Sequence, residues 1–162
     1  MNKAFLLTGG NIGHPFITLE KAMQAIGRQC GPIIKHSSIY KTAAWGNEEQ
    51  PDFLNQVLQV DTEMEPEQLL GTLLDIEQQL GRTRNKKYDP RTIDIDILFY
   101  NNLILKTEKL EIPHPRLHLR RFVLVPLNEV ASGLVHPVFN KTISQLLDEC
   151  PDVLNVKKFS GK

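Results

Sequence analysis

The chain has 162 residues, and its 19 basic and 19 acidic side chains give a formal net charge of zero. This length is enough for one domain with a substantial core, which we assign to residues 1–162, and we expect a monomer. A general nucleic-acid binder is usually strongly basic, so the balanced charge argues against that class. The first apolar run, Ala4 to Leu7, is too short for a signal peptide or a membrane span, and we expect a cytoplasmic protein.

The first third of the chain combines strand patterns with one helix pattern. Ala4 to Thr8 is an apolar run ended by glycine, which indicates a buried strand. The segment GGNIG, Gly9 to Gly13, lacks the spacing of a dinucleotide loop and the lysine of a phosphate loop, so it predicts a tight turn. An apolar stripe beginning at Leu19 predicts a helix over 15–29, and a second strand is predicted from Ile33 to Thr42.

A polar loop, Ala43 to Asp52, separates this strand from the next one. It contains Trp45, which is either a plug in a small core cluster or a wall of a ligand pocket. Phe53 to Thr62 alternates between two faces and predicts a third strand. Asn55, near its start, is either an ordinary surface residue or an amide that reads the edge of a heterocycle with both a donor and an acceptor.

Pro66 to Leu80 has the clearest helical pattern, with proline in the first turn and Gly81 at its end. Glu77 borders the apolar face of this helix, where it either pairs with a basic side chain or accepts a hydrogen bond from a ligand hydroxyl. The next segment, Gly81 to Pro90, is highly charged and ends in proline, so we interpret it as a mobile loop.

The most informative stretch follows this loop. From Ile93 to Tyr100, isoleucines alternate with other residues, and this period of two predicts a strand. Asp94 and Asp96 then share one face, with their Cα atoms ~6.5 Å apart. Aspartate is disfavoured in strands and two like charges repel each other, so a positive partner is expected.

Two sources can supply that positive charge. One is Mg²⁺, which takes oxygen ligands, bound as a single ion or as a pair ~4 Å apart as in phosphoryl-transfer sites. The other is the basic segment 82–91 directly upstream, which suits a small polyanion. A D-x-D pattern alone is more often a solvated strand face, but the flanking isoleucines and arginines favour the functional interpretation.

A second unusual segment, Pro113 to Phe122, holds a proline-bounded histidine, His114, followed by Arg120 and Arg121. A lone histidine in such a rigid turn is usually solvated. The two arginines that follow favour a phosphate-binding cluster instead.

The remaining patterns describe the C-terminal part of the chain. The turn residues Asn101-Asn102 predict a hairpin between the preceding strand and the run Leu103 to Leu105, and Leu110 to Ile112 predicts a further short strand. The apolar run 122–127 is assigned to the core. Residues 141–150 predict a last helix, capped near Thr142.

The order strand, helix, strand, strand, helix, strand predicts an α+β fold with a ferredoxin-like βαββαβ core. An antiparallel sheet would carry the two helices on one face, and the C-terminal hairpin and helix would be added to this core. The opposite face, with Asp94 and Asp96, would be left for ligands. Two carboxylates for Mg²⁺, several arginines and a histidine indicate phosphoryl chemistry on a nucleoside triphosphate.

The stretch GRTRNKKYDPRTIDIDIL, residues 81–98, also closely resembles the signature of the 6-hydroxymethyl-7,8-dihydropterin pyrophosphokinases of folate synthesis. The similarity continues, in the family's order, through GGNIG, Tyr40 to Thr42, Gln50 to Asn55, Ile76 to Arg82 and Ile112 to Arg116. Each piece is weak alone, but the combination covers nearly the whole chain and is specific.

This resemblance implies transfer of the terminal pyrophosphoryl group of ATP to the hydroxymethyl oxygen of the pterin, with release of AMP. It implies that Asp94 and Asp96 bind two Mg²⁺ ions that bridge the triphosphate. It further implies that Arg82 and Arg91 come from the loop to clamp the phosphates or help close the site.

The resemblance also implies which residues surround each substrate. At ATP it implies Glu77, Arg84, Tyr88, Arg91, Ile97, Lys109, His114 and Arg120. Around the pterin it implies Thr42, Ala43, Trp45, Phe53, Asn55 and Phe122. Glu77 would lie at the nucleotide sugar, the Asn55 amide would read the pterin edge, and Phe122 would stack on the pterin ring.

The sequence departs from the family pattern at two places. Tyr88 and Asp89 stand where many members have Trp and Gly, and Ala43-Ala44 replaces a common Pro-Pro. Two other functions use a similar sheet: a palm-like two-metal nucleotidyltransferase, which would release pyrophosphate, and a non-enzymatic binding module for a small molecule or RNA. The binding module would not need the two aspartates, and we expect no nucleic-acid or membrane partner.

Overall fold

The computed structural model describes residues 1–43, 52–81 and 93–160. In these residues the strands are β1 (Asn2–Gly10), β2 (Ile33–His36), β3 (Tyr40–Thr42), β4 (Phe53–Thr62), β5 (Asp94–Tyr100), β6 (Leu105–Lys106), β7 (Glu111–Ile112) and β8 (Val156–Lys158). The α-helices are α1 (Pro15–Gln29), α2 (Pro66–Gln79), α3 (Arg121–Ala131) and α4 (Ile143–Glu149), and a 3₁₀ turn covers Leu117–Leu119. None of the described helices is long and apolar enough to cross a lipid bilayer.

One antiparallel sheet organises the chain. Its strands lie in the order β5-β1-β4-β3-β8. β2 and β3 both pair with β4, β3 with residues 53–55 and β2 with residues 58–60. The two longest strands, β1 and β4, pair along their whole lengths, from Asn2 opposite Thr62 to Gly10 opposite Leu54. β6 and β7 form a separate hairpin that turns at residues 107–110. The asparagine turn was predicted to pair the strand before it with Leu103 to Leu105, but in the described residues β5 pairs with β1 and not with this run. The predicted mixture of helices with an antiparallel sheet is therefore confirmed.

Helices α1 and α2 cover one face of this sheet. Leu19 and Ile26 from α1 and Leu73 from α2 are fully buried in a core cluster that also contains Leu6 and Leu58 from the central strands. These helical residues belong to the apolar stripes seen in the sequence, because a stripe with helical spacing turns one side of each helix toward the sheet. Burial of this face supplies the main hydrophobic stabilisation of the fold.

Helices α3 and α4 cover part of the opposite face, where the sequence predicted only ligand space. Val123 and Leu127 from α3 pack with Leu146 from α4 on Phe5 and Val57 of the sheet. The prediction of helices on one face is thus correct for α1 and α2 but incomplete for the whole chain.

Helix α3 was not predicted, because the run 122–127 was assigned only to the core. Pro126 lies inside this helix, and proline is normally excluded from helix interiors since it lacks the backbone N–H and clashes with the preceding turn. The almost continuous apolar run around it also hides the helical period. Both features removed the local signal for a helix.

Strand β5 contains an irregularity that the alternating pattern did not reveal. Phe5 pairs with Phe99, but the next residue, Leu6, pairs with Ile97, so Leu98 is an extra residue in β5. Ile95 and Ile97 therefore face α1 and α2, whereas Phe99 packs on the α3 side. Such a bulge interrupts the alternation of faces. The predicted alternation is correct for Asp94 to Ile97 and wrong at Phe99.

The predicted strand Ile33 to Thr42 is divided into β2 and β3. Glu129 on α3 holds the break: its carboxylate accepts hydrogen bonds from the backbone N–H of Ser38 (3.0 Å) and from the Tyr40 hydroxyl (2.6 Å). Burial opposes ionisation of Glu129, but the hydrogen bonds from Tyr40 and Ser38 outweigh it and lower the pKa of this carboxyl. Helix α3 is thereby attached directly to the strand that leads to Thr42.

His136 gives this fold a pH-dependent stability. Its Nδ1 accepts the backbone N–H groups of Val138 (3.1 Å) and Phe139 (3.3 Å), and its ring stacks on Phe139. Burial, and then the nearby His118, lowers the pKa of His136 to about 4. An unfolded histidine has a pKa near 6.5, so between about pH 6.5 and pH 4 this residue is protonated in the unfolded chain but not in the folded one. The stability of the fold therefore falls as the pH drops through this range.

We therefore expect the free energy of unfolding to fall by roughly 1–3 kcal/mol from this residue between pH 7 and pH 4.5. His136→Asn should reduce this pH dependence, because an amide oxygen can accept the same backbone N–H groups without titrating. Urea denaturation at several pH values measures the effect. The exposed His14→Asn is the control and should keep the wild-type slope, and an unchanged slope in His136→Asn would contradict the assignment.

Candidate active site

A cavity of about 460 Å³ opens on the α3 side of the sheet. It is bordered by Leu7, Gly9, Thr42, Ala43, Phe53, Asn55, Asp94, Asp96, Arg116, Leu119, Arg120, Phe122 and Asp152. Four neighbouring strands supply the floor, and the segment 116–122 supplies one wall. A concave site with a few convergent polar groups is where a small ligand is expected.

The two aspartates of β5 face this cavity together. Asp94 and Asp96 are half-buried, and the intervening Ile95 is buried on the other side of the sheet. The prediction that both carboxyl groups share one face is therefore confirmed. In the described residues no set of three or more histidine, cysteine, aspartate or glutamate side chains could hold a metal ion. Of the described residues, these two carboxylates are the ones placed together on the cavity floor that could contribute to a metal site, with water or substrate oxygens as further ligands.

Gly9 joins the two halves of the cavity floor. It pairs with Asp94 of β5 on one side and with Asn55 of β4 on the other. A Cβ atom placed on Gly9 would lie 2.2 Å from Nδ2 of Asn55, so the Asn55 amide occupies the space above this glycine. The sequence predicted only a turn from Gly9 to Gly13, but Gly9 lies within β1 and has a steric role in the cavity.

A group of polar and aromatic residues forms the end of the cavity opposite β5. Thr42 is 4% exposed, and its buried hydroxyl oxygen has no hydrogen-bond partner among the described residues. Nδ2 of the buried Asn55 donates a long hydrogen bond, 3.4 Å, to the carbonyl of Thr8. Phe53 and Phe122 add ring surface at the same site. An unpaired buried hydroxyl is costly, so the Thr42 hydroxyl is a position at which a polar group could add a hydrogen bond.

Two cationic residues also line the cavity, and one of them is close enough to Asp96 for their charges to interact. The guanidinium carbon of Arg120 lies 5.6 Å from the centre of the Phe122 ring, and Arg116 borders the same cavity. Burial and the neighbouring Arg116 lower the pKa of Arg120, whereas Asp96 acts in the opposite sense. The cavity therefore has an acidic side and a basic side, as a metal–polyphosphate ligand requires.

His114 lies behind this wall and does not border the cavity. Its backbone N–H donates to the carbonyl of Leu98 (3.0 Å), and its Nδ1 accepts the backbone N–H of Arg116 (3.3 Å). Burial, followed by the charges of Arg120 and Arg116, lowers the pKa of His114 to about 4. The ring is therefore neutral at physiological pH and presents Nε2–H as a donor.

Three predicted nucleotide-binding residues lie away from the cavity. Glu77 is 3% exposed on α2, and its carboxylate accepts the backbone N–H of Ile95 (2.6 Å). Ile97 belongs to the core on the α1 and α2 side, and Lys109 is exposed in the β6–β7 hairpin. Their roles at the nucleotide remain predictions. Trp45, Arg82, Arg84, Tyr88 and Arg91 lie outside the described residues.

Five cavity residues were not assigned to the site from the sequence. They are Leu7, Gly9, Arg116, Leu119 and Asp152. Arg116 stands within the IPHPR segment that was singled out, so its cationic character was a usable signal. Asp152 comes from the C-terminal segment, where no local pattern indicated a role.

The cavity and the sequence signature agree with the comparisons to known proteins. The model of the 7,8-dihydro-6-hydroxymethylpterin-pyrophosphokinase family, HPPK, matches residues 5–132. The chain is 39% identical over 158 residues to the 2-amino-4-hydroxy-6-hydroxymethyldihydropteridine pyrophosphokinase of Haemophilus influenzae, covering 97% of this chain and 98% of that protein. It is 36% identical over 149 residues to the protein of the same name from Aquifex aeolicus, covering 92% of each. The chain belongs to the HPPK family.

Solved structures show the same fold. The wild-type HPPK-DHPS of Plasmodium falciparum with pteroate superposes with a TM-score of 0.75 at 20% sequence identity, and the match covers 91% of this chain. The chain spans 42% of that longer protein. At this level of identity the likeness concerns the fold alone.

Proposed function

We propose that this chain transfers the pyrophosphoryl group of ATP to the hydroxymethyl group of 6-hydroxymethyl-7,8-dihydropterin, in folate biosynthesis. The hydroxymethyl oxygen forms a bond to the β-phosphorus of ATP, the bond from that phosphorus to the oxygen bridging the α-phosphate breaks, and AMP leaves. The observation that carries the proposal is one cavity with paired aspartates on one side and the Asn55 and Thr42 polar groups on the other. Membership of the HPPK family supports it.

Asp94 and Asp96 are proposed to hold two Mg²⁺ ions. The fit is supported by their common face and by the hard oxygen atoms of their carboxyl groups, which Mg²⁺ prefers. When bound, such ions neutralise the triphosphate and lower the pKa of the attacking hydroxyl. The protein's own contribution is to hold both carboxyl groups on one strand. This strand is anchored by Ile95 and Ile97 in the core before the bulge and by Phe99 in the core after it.

Arg120, His114 and the arginines Arg82 and Arg91 are proposed to bind the phosphate groups. For Arg120, the support is its half-buried position in the cavity wall, where its charge interacts with that of Asp96. A neutral His114 can donate to a phosphate oxygen without adding a charge beside Arg116 and Arg120. Phosphoryl transfer depends mainly on such positioning and charge neutralisation.

The pterin is proposed to lie between Phe53 and Phe122. The Asn55 amide offers a donor and an acceptor to the edge of the heterocycle, and the unpaired hydroxyl of Thr42 offers a further polar contact. Two aromatic rings and a polar floor suit a flat, hydrogen-bonding ring system. Trp45 and Ala43 are proposed to complete this end of the site.

We also propose that residues 1–162 form one monomeric domain with a ferredoxin-like core. The strand order β5-β1-β4-β3 and the location of α1 and α2 on one face support this topology. Glu77, Arg84, Tyr88, Ile97 and Lys109 are proposed at the nucleotide, with Ile97 limited to backbone contacts because its side chain is in the core.

Incubation with ATP, Mg²⁺ and the hydroxymethyl pterin tests the proposed reaction. AMP and pterin diphosphate should form together, and only when all three are present. Release of pyrophosphate instead of AMP would indicate a nucleotidyltransferase. Failure of folded protein to form AMP would refute the proposal. Replacing Mg²⁺ by EDTA in the same assay tests the metal requirement.

A further inference from the structure

Asp152 borders the cavity from the C-terminal part of the chain. All other residues bordering the cavity lie between Leu7 and Phe122, within the range that the family model matches, and Asp152 lies beyond it. Its carboxyl group therefore reaches the cavity from outside the segments that carry the sequence signature.

The Asp152 carboxylate makes two backbone hydrogen bonds. Oδ2 accepts the N–H of Arg121 (3.0 Å), and Oδ1 accepts the N–H of Leu154 (2.9 Å). Arg121 is the first residue of α3, and the preceding residue, Arg120, supplies no side-chain cap of its own. Since the first N–H groups of a helix have no partner inside it, Asp152 acts as a cap contributed by a distant segment.

This cap acts on residues that form the cavity wall. Arg121 stands between Arg120 and Phe122, which both border the cavity and contact each other. The position of the first turn of α3 therefore sets where the guanidinium group and the aromatic ring lie. Loss of the Asp152 acceptor would release the backbone from which both side chains project.

The segment that carries Asp152 is itself fixed to the opposite side of the cavity. β8 pairs with β3, Val156 lying opposite Thr42, and the N–H of Phe159 donates to the carbonyl of Ile39 (2.8 Å). The Phe159 ring also packs on Phe16 of α1, with 5.8 Å between ring centres. Asp152 thus links the strand that ends at Thr42 to the helix that begins beside Phe122.

We infer that Asp152 is a positioning residue that fixes the distance between the Thr42 and Phe122 sides of the cavity and so controls pterin affinity. The inference rests on the proposed function, which places the pterin between these sides. Both carboxylate oxygens already accept backbone N–H groups, which favours this indirect role over direct contact with substrate.

Asp152→Ala tests the inference, with Thr142→Ala as the matched control. Thr142 caps α4 through a capping box with Gln145 and does not border the cavity. Both variants should lower Tm to a similar extent. Only Asp152→Ala should raise the Kd for the pterin, by about tenfold or more, with a smaller effect on the rate at saturating substrates. Asp152→Asn keeps one carbonyl acceptor for the Arg121 N–H and should recover part of the affinity.

Pterin affinity is measured by calorimetry and turnover by AMP release. If Asp152→Ala binds the pterin as the wild type does, or if Asp152→Asn is as defective as the alanine variant, the positioning role is overturned. Should the alanine variant not fold, Asp152→Ser, which keeps a smaller acceptor, replaces it with the same criteria. A wild-type protein that neither binds the pterin nor forms AMP would instead refute the proposed function, so the two failures are distinguishable.

Discussion

Asp96→Asn should reduce turnover by about 10³-fold while leaving the protein folded. The substitution keeps the shape of the side chain but removes the charge that the acidic side of the cavity presents to a metal–triphosphate complex. Loss of one such preorganised electrostatic contact typically costs 10²–10³-fold in rate. When the Mg²⁺ concentration is varied and AMP formation is measured, the variant should need more Mg²⁺ than the wild type to reach half of its own, lower maximal rate.

The matched control for this experiment is Asp148→Asn, which changes an exposed aspartate on α4 that does not border the cavity. It loses the same charge and should keep wild-type turnover. Direct measurement of Mn²⁺ binding by electron paramagnetic resonance, with and without a non-hydrolysable ATP analogue, gives a readout independent of activity. Normal turnover in Asp96→Asn would eliminate the proposed metal role.

Gly9→Ala should weaken pterin binding by about ten- to hundredfold. The added methyl group would lie 2.2 Å from Nδ2 of Asn55, which is closer than any real contact, so the amide must move from its seat. Loss of its hydrogen bonds to a buried polar ligand is worth about 1–3 kcal/mol. Calorimetric titration with the pterin measures the change. Gly71→Ala is the control, since a Cβ there meets nothing within 4 Å.

A double-mutant cycle isolates the steric cause. In Asn55→Ala the amide is absent, so addition of Gly9→Ala should cost little more affinity, and the two effects should be strongly non-additive. Additive losses would mean that Gly9 acts through the strand backbone or through Asp94 instead. The cycle thus distinguishes a steric clash with the Asn55 amide from a general change in the backbone of β1.

The sequence predicted those parts of the fold that have strong local periodicity. The structure confirms the approximate ranges predicted for α1, α2, β4 and β5. These elements were predictable because an apolar stripe or an alternating pattern can be recognised from residues that are close in sequence. Helix α3 was missed since Pro126 and its apolar neighbours conceal the helical spacing. The division of the second strand was missed since it depends on Glu129, which is distant in the chain.

The candidate site divides in the same way. The common face of Asp94 and Asp96 follows from strand geometry alone, and the resemblance indicated Asn55, Thr42, Arg120 and Phe122. Gly9 was interpreted as part of a turn. The sequence could not show that it leaves space for the Asn55 amide, because this contact depends on the pairing of β1 with β4. Contacts between segments far apart in the chain leave no periodic trace in either segment.

The bulge at Leu98 separates β5 into two parts that can change independently. The part before it presents two carboxyl groups to the cavity, while Phe99 after it is packed in the core beneath α3 and α4. Because the extra residue interrupts the pleat, adjustments in packing around Phe99 need not rotate the carboxyl groups. We therefore expect that substitutions of interior side chains beyond the bulge can be used to raise thermal stability while the two carboxyl groups keep their positions.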